Sequence, residues 1–269
     1  MVRSVKMKIN FHFSLAANYN TPMIKTEEIL IKAPRNKNTV CDIFLYEPGN
    51  IEEASLGSLY MVAELTSDED SLHIINLLSS IIKREYYSLP HRGPVESLEA
   101  GLKKANQTLN EIAGQGNLNW LGKIHFICAA INKEKDLFLT QTGAAQAWLC
   151  REGQMINITK KMVPPAAKAH PAKTFQSVIS GTIGPTDKII FGTPAIFEYF
   201  SLPGLKQIFS LPKTEMIADQ INKILREEKK LPTLSALLLE ITPEEQILEP
   251  VAGTKKFITP PISLAEILN

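Results

Sequence analysis

Two residues of this chain, Glu64 and Arg35, are candidates for binding ions: Glu64 a cation and Arg35 a phosphate. Glu64 lies near the end of the apolar run 59–65, and a carboxylate in that place can bind a hard divalent cation. Arg35 lies in a polar segment, and its planar guanidinium group can hold two phosphate oxygens at once. Both residues also have plain structural interpretations, Glu64 as a solvated or lysine-paired carboxylate and Arg35 as a surface arginine.

Other kinds of catalytic or metal site are not indicated by the sequence. The five histidines are scattered without the spacing of metal ligands, and His125 falls in a predicted strand, which is typical of a core histidine. The sequence contains no Gly-x-Ser-x-Gly nucleophile motif. It contains no P-loop either, and the glycines of 181–184 are interpreted as part of a turn.

Length and composition indicate a globular protein that can bury a sizeable core. The chain has 269 residues, with 29 basic and 28 acidic side chains, so the charge balance does not point to nucleic acid or a membrane surface. The three cysteines fall in predicted strands, which favours a reducing compartment. No apolar segment reaches the length of a membrane span, and the N-terminus lacks a signal-peptide core. We therefore expect a soluble, cytoplasmic protein.

The elements that must position these residues are short strands and amphipathic helices. Apolar runs predict strands at 26–32, 40–46, 59–65, 188–191 and 234–241. Four β-rich runs within 124–158 predict an antiparallel meander. Apolar residues at helical spacing predict helices over 68–86, with Ser67 as N-cap, over 95–113, with Gly114 as C-cap, and from a Thr214 N-cap onward.

The order of these elements predicts an α+β fold, a four-layer α-β-β-α sandwich of two antiparallel sheets with helices outside. The two helices before the meander should lie antiparallel on one sheet face. We assign residues 1–249 to this domain and the Pro- and Gly-containing residues 250–269 to a C-terminal tail or linker. N-terminal-nucleophile hydrolases use the same layering, so architecture alone does not select a function.

Four segments, LYMVAELTS, TQTGAAQAWL, IGPTDKIIFGTPAIFEYFS and LPTLSALLLEI, carry a resemblance to a known family. They resemble the metal-binding strands of the PPM-type (type 2C) protein phosphatases, within a similarity that covers most of residues 35–241. In that family, aspartates at the strand ends hold two Mg²⁺ or Mn²⁺ ions, which bind the phosphate and activate the attacking water. Arg35, in the segment RNKNTV, resembles the family's phosphate-binding arginine, and Val40 falls where an acid is expected.

The aspartates themselves are replaced in this chain. Glu64 stands at one position, and Ala144, Pro194 and Pro232 stand at the other three. These three side chains carry no ligand atom for a metal. The resemblance therefore implies a degenerate, pseudophosphatase-like member without catalytic residues, metal or cofactor. Arg35 and Glu64 remain as its candidate ligand-binding residues.

The function implied is a catalytically inactive binding or regulatory module. Its expected partner is a protein, in particular a phosphorylated one, and neither a nucleic acid nor a membrane. Two alternatives stay open. One is a divergent serine/threonine phosphatase that uses Mg²⁺ or Mn²⁺ in an unusual arrangement. The other is a different hydrolase on a similar sandwich, with an exposed nucleophile at a processed N-terminus.

Overall fold

The computed structural model describes residues 24–33, 38–68, 73–162, 169–228 and 231–242. The strands in these ranges are β1 (Ile24–Ile31), β2 (Thr39–Tyr46), β3 (Ser58–Thr66), β4 (Ile124–Ile131), β5 (Asp136–Thr142), β6 (Gln146–Arg151), β7 (Gln154–Asn157), β8 (Ile179–Thr182), β9 (Lys188–Gly192) and β10 (Leu234–Ile241). The α-helices are α1 (Ile74–Tyr86), α2 (Pro94–Gly114), α3 (Pro194–Tyr199), α4 (Leu202–Phe209) and α5 (Thr214–Arg226).

The strands form two antiparallel sheets of five strands each. The first has the order β1-β10-β9-β6-β7 and the second the order β2-β3-β4-β5-β8. One apolar core joins α1 and α2 to the second sheet, another joins α3, α4 and α5 to the first, and a third lies between the two sheets. The predicted α+β fold, an α-β-β-α sandwich, is confirmed.

Strand β3 shows how the sequence pattern produces these layers. Side chains of successive strand residues point to opposite faces. Leu59 and Met61 belong to the core under the helices, whereas Tyr60 and Val62 belong to the core between the sheets. By the same alternation, Glu64 lies on the face of β3 that is turned toward the other sheet.

The two helices before the meander pack side by side on one face, as predicted. Leu98, Leu102 and Leu109 of α2 are buried in the same core as Leu78 and Ile82 of α1. Helix α2 agrees closely with its prediction, although its C-cap is the residue after the predicted Gly114.

Two predicted N-caps are wrong. Helix α1 begins at Ile74, with His73 as its N-cap. The predicted N-cap, Ser67, instead donates its backbone N–H to the carbonyl oxygen of Asn38 at 2.8 Å, which extends the pairing between β2 and β3. Thr214 is the first residue of α5, not its cap, because its hydroxyl and backbone N–H both donate to the Glu240 carboxylate.

The predicted meander over 124–158 is divided between the two sheets. Strands β4 and β5 pair in the second sheet, and β6 and β7 pair in the first. The chain passes from one sheet to the other at Gly143, which has a φ of 68°. Strand periodicity does not show such a crossing, because each strand keeps its own alternation on either side of it. The turn predicted at 181–184 is also partly wrong, because Gly181 and Thr182 belong to the edge strand β8.

Three further predictions concern cysteines, membrane spans and the ends of the chain. Cys41, Cys128 and Cys150 lie in β2, β4 and β6, are buried and form no disulfide among the described residues. Within the ranges given above, no helix combines the length and apolarity that a bilayer crossing requires. The N-terminus, the domain boundary at 249 and the tail 250–269 lie outside the described residues.

Candidate functional site

The positions where the resemblance expects aspartates meet at one end of the space between the sheets. Thr193, which immediately precedes Pro194, donates its backbone N–H to the Ser235 carbonyl oxygen at 3.0 Å. Ser235 returns a backbone N–H to the Thr193 hydroxyl oxygen at 3.1 Å. Its own hydroxyl donates across the sheets to the carbonyl oxygen of Ala63, at 3.3 Å. Pro232 lies three residues before Ser235 along the chain.

His125 connects the fourth position, Ala144, to the same end. The backbone N–H of Ala144 donates to Nδ1 of His125 at 2.9 Å. His125 lies directly opposite Glu64 in the pairing of β3 with β4. The fold therefore brings Glu64, Ala144 and Thr193, the residue before Pro194, to one place, while Pro232 lies two residues before the start of β10. Arg35, the second predicted ligand-binding residue, lies outside the described residues.

Glu64 is a buried carboxyl group, and one of its two oxygens lacks a hydrogen-bond partner in the described structure. Its side chain belongs to a residue that is 8% exposed, and its Oε2 atom has no hydrogen-bond partner within the described ranges. Burial raises the pKa of Glu64, a hydrogen bond with the Thr193 hydroxyl opposes that shift, and the Glu198 carboxylate adds to it. The solvated or lysine-paired interpretation of Glu64 does not fit these surroundings, since an unpaired buried acceptor costs about 1–3 kcal/mol.

His125 is held beside Glu64 as a neutral imidazole. Burial lowers the pKa of His125, and the nearby Glu198 carboxylate opposes this shift. Because Nδ1 accepts the Ala144 N–H, the proton of the neutral ring is on Nε2. The sequence predicted that His125 lies in a strand. It did not predict the hydrogen bond with Ala144, because the two residues are 19 positions apart.

The side chains at this end do not fit the two-metal centre of the PPM-type phosphatases. Mg²⁺ and Mn²⁺ take oxygen ligands, chiefly carboxylates and water, and Mg²⁺ requires near-octahedral geometry. Among the residues that the structure describes, no group of three or more His, Cys, Asp or Glu side chains could hold a metal ion. Ala144, Pro194 and Pro232 contribute no side-chain ligand. Glu64 is the carboxyl group that the chain offers at these four positions.

A cavity of about 250 Å³ is lined in part by Gln141, Thr142 and Gly143, at the end of β5 and the turn that follows it. Its walls come from the segment before β4, from the end of β5 and from residues 169–177. Among the described lining residues, Lys173 is the charged side chain and none is a carboxylate. No sequence pattern predicted this cavity. The lysines of residues 160–176 were the one signal, and composition does not show what a segment packs against.

This chain is similar to known proteins in structure, and no similarity in sequence was found. No protein-family model matches it, and no curated protein matches it by sequence. The serine/threonine phosphatase PstP of Mycobacterium tuberculosis has a TM-score of 0.61 at 10% identity and covers 82% of this chain and 99% of its own. PppA, described as a key regulatory component of T6SS in Pseudomonas aeruginosa, has a TM-score of 0.59 at 13% identity, covering 82% and 98%.

The predicted resemblance is confirmed at the level of the fold. The phosphatase domain of SpoIIE from Bacillus subtilis covers 91% of this chain and 100% of its own, with a TM-score of 0.54 at 12% identity. This chain therefore has the fold of the PPM-type phosphatases. Its degenerate status remains a prediction from the residues.

The prediction that this chain uses no cofactor is contradicted by the same comparisons. The catalytic domain of PstP is solved in complex with two manganese ions, and RsbX is solved in complex with magnesium. Divalent cations therefore accompany this fold in its solved neighbours. The physical reason for the wrong prediction is that it counted side chains at four positions, whereas a cation also takes water and backbone oxygens as ligands.

Proposed function

We propose that this protein is a catalytically inactive PPM-phosphatase-like domain that acts as a binding or regulatory module on a phosphorylated protein partner. One observation carries the proposal. Three of the four positions where the resemblance expects a metal-binding aspartate, Ala144, Pro194 and Pro232, have no side-chain ligand for a metal. The proposal concerns turnover and does not depend on whether a cation binds at Glu64.

The energetic argument rests on what two-metal catalysis requires. The cations must be held in a fixed geometry by several anionic oxygens before they can lower the pKa of a bridging water. With one carboxyl group in place of four, that geometry is not defined by the protein. The single group present, Glu64, is longer than an aspartate and has a raised pKa from burial, which disfavours the charged form that binds metal.

Pro194 and Thr193 have structural roles at this end, which supports the proposal. Pro194 occupies the first turn of α3, where a proline is favourable because its missing N–H has no helical partner. The preceding Thr193 uses its hydroxyl and backbone N–H to hold Ser235. These positions therefore have structural roles that explain their residue types without catalysis.

The neighbours give a precedent for regulatory use of this fold. PppA is described as a regulatory component, and that description belongs to PppA. For this chain, a regulatory role on a phosphorylated partner follows from a fold that recognises phosphoproteins in its active members, combined with the loss of ligand side chains. Arg35 is the residue through which the resemblance would bind the phosphate.

The proposal predicts binding of phosphopeptides without loss of their phosphate. A peptide library containing phosphoserine and phosphothreonine is incubated with the purified protein and Mn²⁺, and captured peptides are identified by mass spectrometry. We expect phosphorylated peptides to be enriched over the same library after alkaline phosphatase treatment, with every captured peptide still at its phosphorylated mass. Capture that ignores phosphorylation, or dephosphorylated masses that accumulate with time, would contradict the proposal.

A divergent metal-dependent phosphatase is the second candidate, and one observation favours it. The buried carboxyl group of Glu64, with a raised pKa and an unpartnered Oε2 in the described structure, lies beside His125. Perturbed titratable groups that gather at one place are typical of functional sites. This candidate predicts Mn²⁺-dependent hydrolysis by the unmodified protein that is lost in Glu64→Ala. The inactive binding module predicts no hydrolysis by either protein.

A further inference from the structure

We propose that the phosphate group of the partner binds in the cavity beside Lys173 and not at the Glu64 end of the space between the sheets. This inference rests on the proposed function, because it assumes a phosphorylated partner. It assigns a different site from the one that the resemblance would use. The cavity and the Glu64 end are neighbours, since Gly143 lines the first and Ala144 bonds to His125 in the second.

The wall that carries Lys173 is fixed to the rest of the domain. The Asn106 side chain of α2 accepts the backbone N–H of Phe175 at 3.0 Å and donates to its carbonyl oxygen at 2.8 Å. The Phe175 ring packs edge-on against Phe126, with ring centroids 5.6 Å apart. The Thr140 hydroxyl donates to the Ser177 carbonyl oxygen at 2.8 Å. A wall held in this way presents its polar groups without a large ordering cost on binding.

The polar lining suits an anion. Lys173 lines the cavity and has no ion pair with any carboxylate that the structure describes. His170 accepts the Ala172 N–H on Nδ1 at 3.2 Å, which leaves Nε2 to donate an N–H. Thr142, Gln176 and Ser177 add hydroxyl and amide groups to the lining. A lysine and neutral donors without a competing carboxylate are the groups that bind phosphate oxygens.

The Glu64 end has the opposite character. The described groups that shift the pKa of Glu64 are Thr193 and Glu198, in addition to burial, and no lysine or arginine is among them. Glu198 is also the one charged group that acts on His125 in the described structure. Among the described residues, a phosphate at this end would approach the two acidic side chains Glu64 and Glu198, and no lysine or arginine acts on Glu64 there. The electrostatic contrast therefore favours the Lys173 cavity for a dianion.

The volume of the cavity and its apolar lining residues indicate what kind of ligand fits. A volume of about 250 Å³ is below the roughly 300–1,000 Å³ that is usual for sites of drug-sized ligands. Leu121, Ile124 and Met162 contribute an apolar side to the cavity. The ligand that fits is a small phosphomonoester on a short aliphatic stem. A phosphoserine or phosphothreonine side chain has this chemistry.

The experiment uses N-acetyl-phosphoserine amide and inorganic phosphate as probes, titrated into the isotope-labelled full chain and followed by NMR. The expected result is a set of shift changes confined to the amides of 141–143 and 170–177. N-acetyl-serine amide, which lacks the phosphate, should produce no such set. Lys173→Ala should weaken the phosphoserine probe by about tenfold or more, the loss expected for one charge-assisted hydrogen bond.

The matched control is Lys133→Ala. Lys133 is an exposed lysine in the turn after β4, roughly 20 Å along the strand from the cavity at the rise usual for a strand. It should leave the affinity for the probe within about twofold of the unmodified chain. An equal loss in both variants would mean non-specific charge attraction and would overturn the proposed site.

Arg35→Ala separates this inference from the proposed function. If the probe binds and Arg35→Ala removes binding while Lys173→Ala does not, the cavity is the wrong site and the phosphopeptide-binding function stands. If inorganic phosphate alone binds and the phosphoserine probe does not, the cavity holds free anions and the inference is overturned. If the peptide library shows phosphate-dependent capture that requires Lys173, both the function and the site are supported.

Discussion

The Glu64 end of the space between the sheets and the Lys173 cavity are neighbours at the Gly143–Ala144 turn, and they differ in the charge of their described side chains. The first contains the buried carboxyl group of Glu64 with the Glu198 carboxylate acting on it, and Thr193 and Ser235 hydrogen-bond to each other there. The second is open enough to hold a small ligand, and its charged lining residue is a lysine. A lysine suited to binding phosphate therefore lies close to the positions where the resemblance expects the metal ligands.

Gly143 is the point where the two regions are separated, so its substitution is expected to have the largest effect. A Cβ atom at Gly143 would collide with Nδ1 of His125 and the carbonyl oxygen of Ile124, and its φ is 68°. Left-handed strain and overpacking each cost about 1–3 kcal/mol. We expect Gly143→Ala to lower the stability by about 3 kcal/mol, which corresponds to a fall in Tm of about 6–12 °C.

The matched control for this prediction is Gly153→Ala, in the turn between β6 and β7. Gly153 has a φ of 71°, and a Cβ atom there meets no atom within 4 Å. It should therefore lose only about 1 kcal/mol from backbone strain, or about 2–4 °C in Tm by thermal unfolding. Equal losses in the two variants would show that the contact with His125 does not matter for the turn.

Aspartates placed at the three positions without a ligand should make the Glu64 end bind a cation, which would increase its difference in charge from the Lys173 cavity. We expect Ala144→Asp, Pro194→Asp and Pro232→Asp together to raise the affinity for Mn²⁺ by at least about tenfold, or ~1.4 kcal/mol, in a calorimetric titration. The same three positions changed to Asn provide the uncharged control. A similar gain in the Asn variant would mean that the added carboxylates do not converge on one cation.

Removing the ionisable group of Glu64 should have a smaller, pH-dependent effect. The pKa of Glu64 is raised above its ordinary value of 4.5 in the folded protein. Below pH 4.5 both states carry the proton, and the group does not weigh against folding. As the pH rises, the unfolded chain ionises first, so the folded protein loses stability until the pH passes the folded-state pKa.

Glu64→Gln should therefore gain stability over the unmodified chain between pH 5 and pH 8, measured by urea denaturation at each pH. The gain should be of the order of 1 kcal/mol, the usual size for a change at one buried polar group. A Gln variant that is less stable at pH 8 than at pH 5, relative to the unmodified chain, would show that the Glu64 carboxylate is stabilised by a partner.

The sequence predicted those features that depend on local pattern. The apolar run in LYMVAELTS predicted strand β3 and placed Glu64 near its end, and the spacing of Leu98, Leu102 and Leu109 predicted helix α2 and its buried face. The resemblance then supplied the layer order that these elements share with the PPM-type phosphatases, which the solved structures confirm.

The surroundings of the site could not be predicted, because they depend on contacts between distant segments. The hydroxyl of Ser235 reaches the carbonyl oxygen of Ala63 across 172 residues of sequence, and Asn106 holds Phe175 across 69. The burial of Glu64 and the wall of the Lys173 cavity follow from such contacts. Neither propensity nor periodicity contains that information, since both act within a few residues.

The most direct test of the account is a phosphatase assay on the unmodified protein, with p-nitrophenyl phosphate and a phosphopeptide in millimolar Mn²⁺ or Mg²⁺. We expect no hydrolysis above the buffer rate, and the same result for Glu64→Ala. The reason is that three of the four positions that would fix the cations have no side-chain ligand. Robust turnover that survives repurification and disappears in Glu64→Ala would contradict it and establish a divergent enzyme.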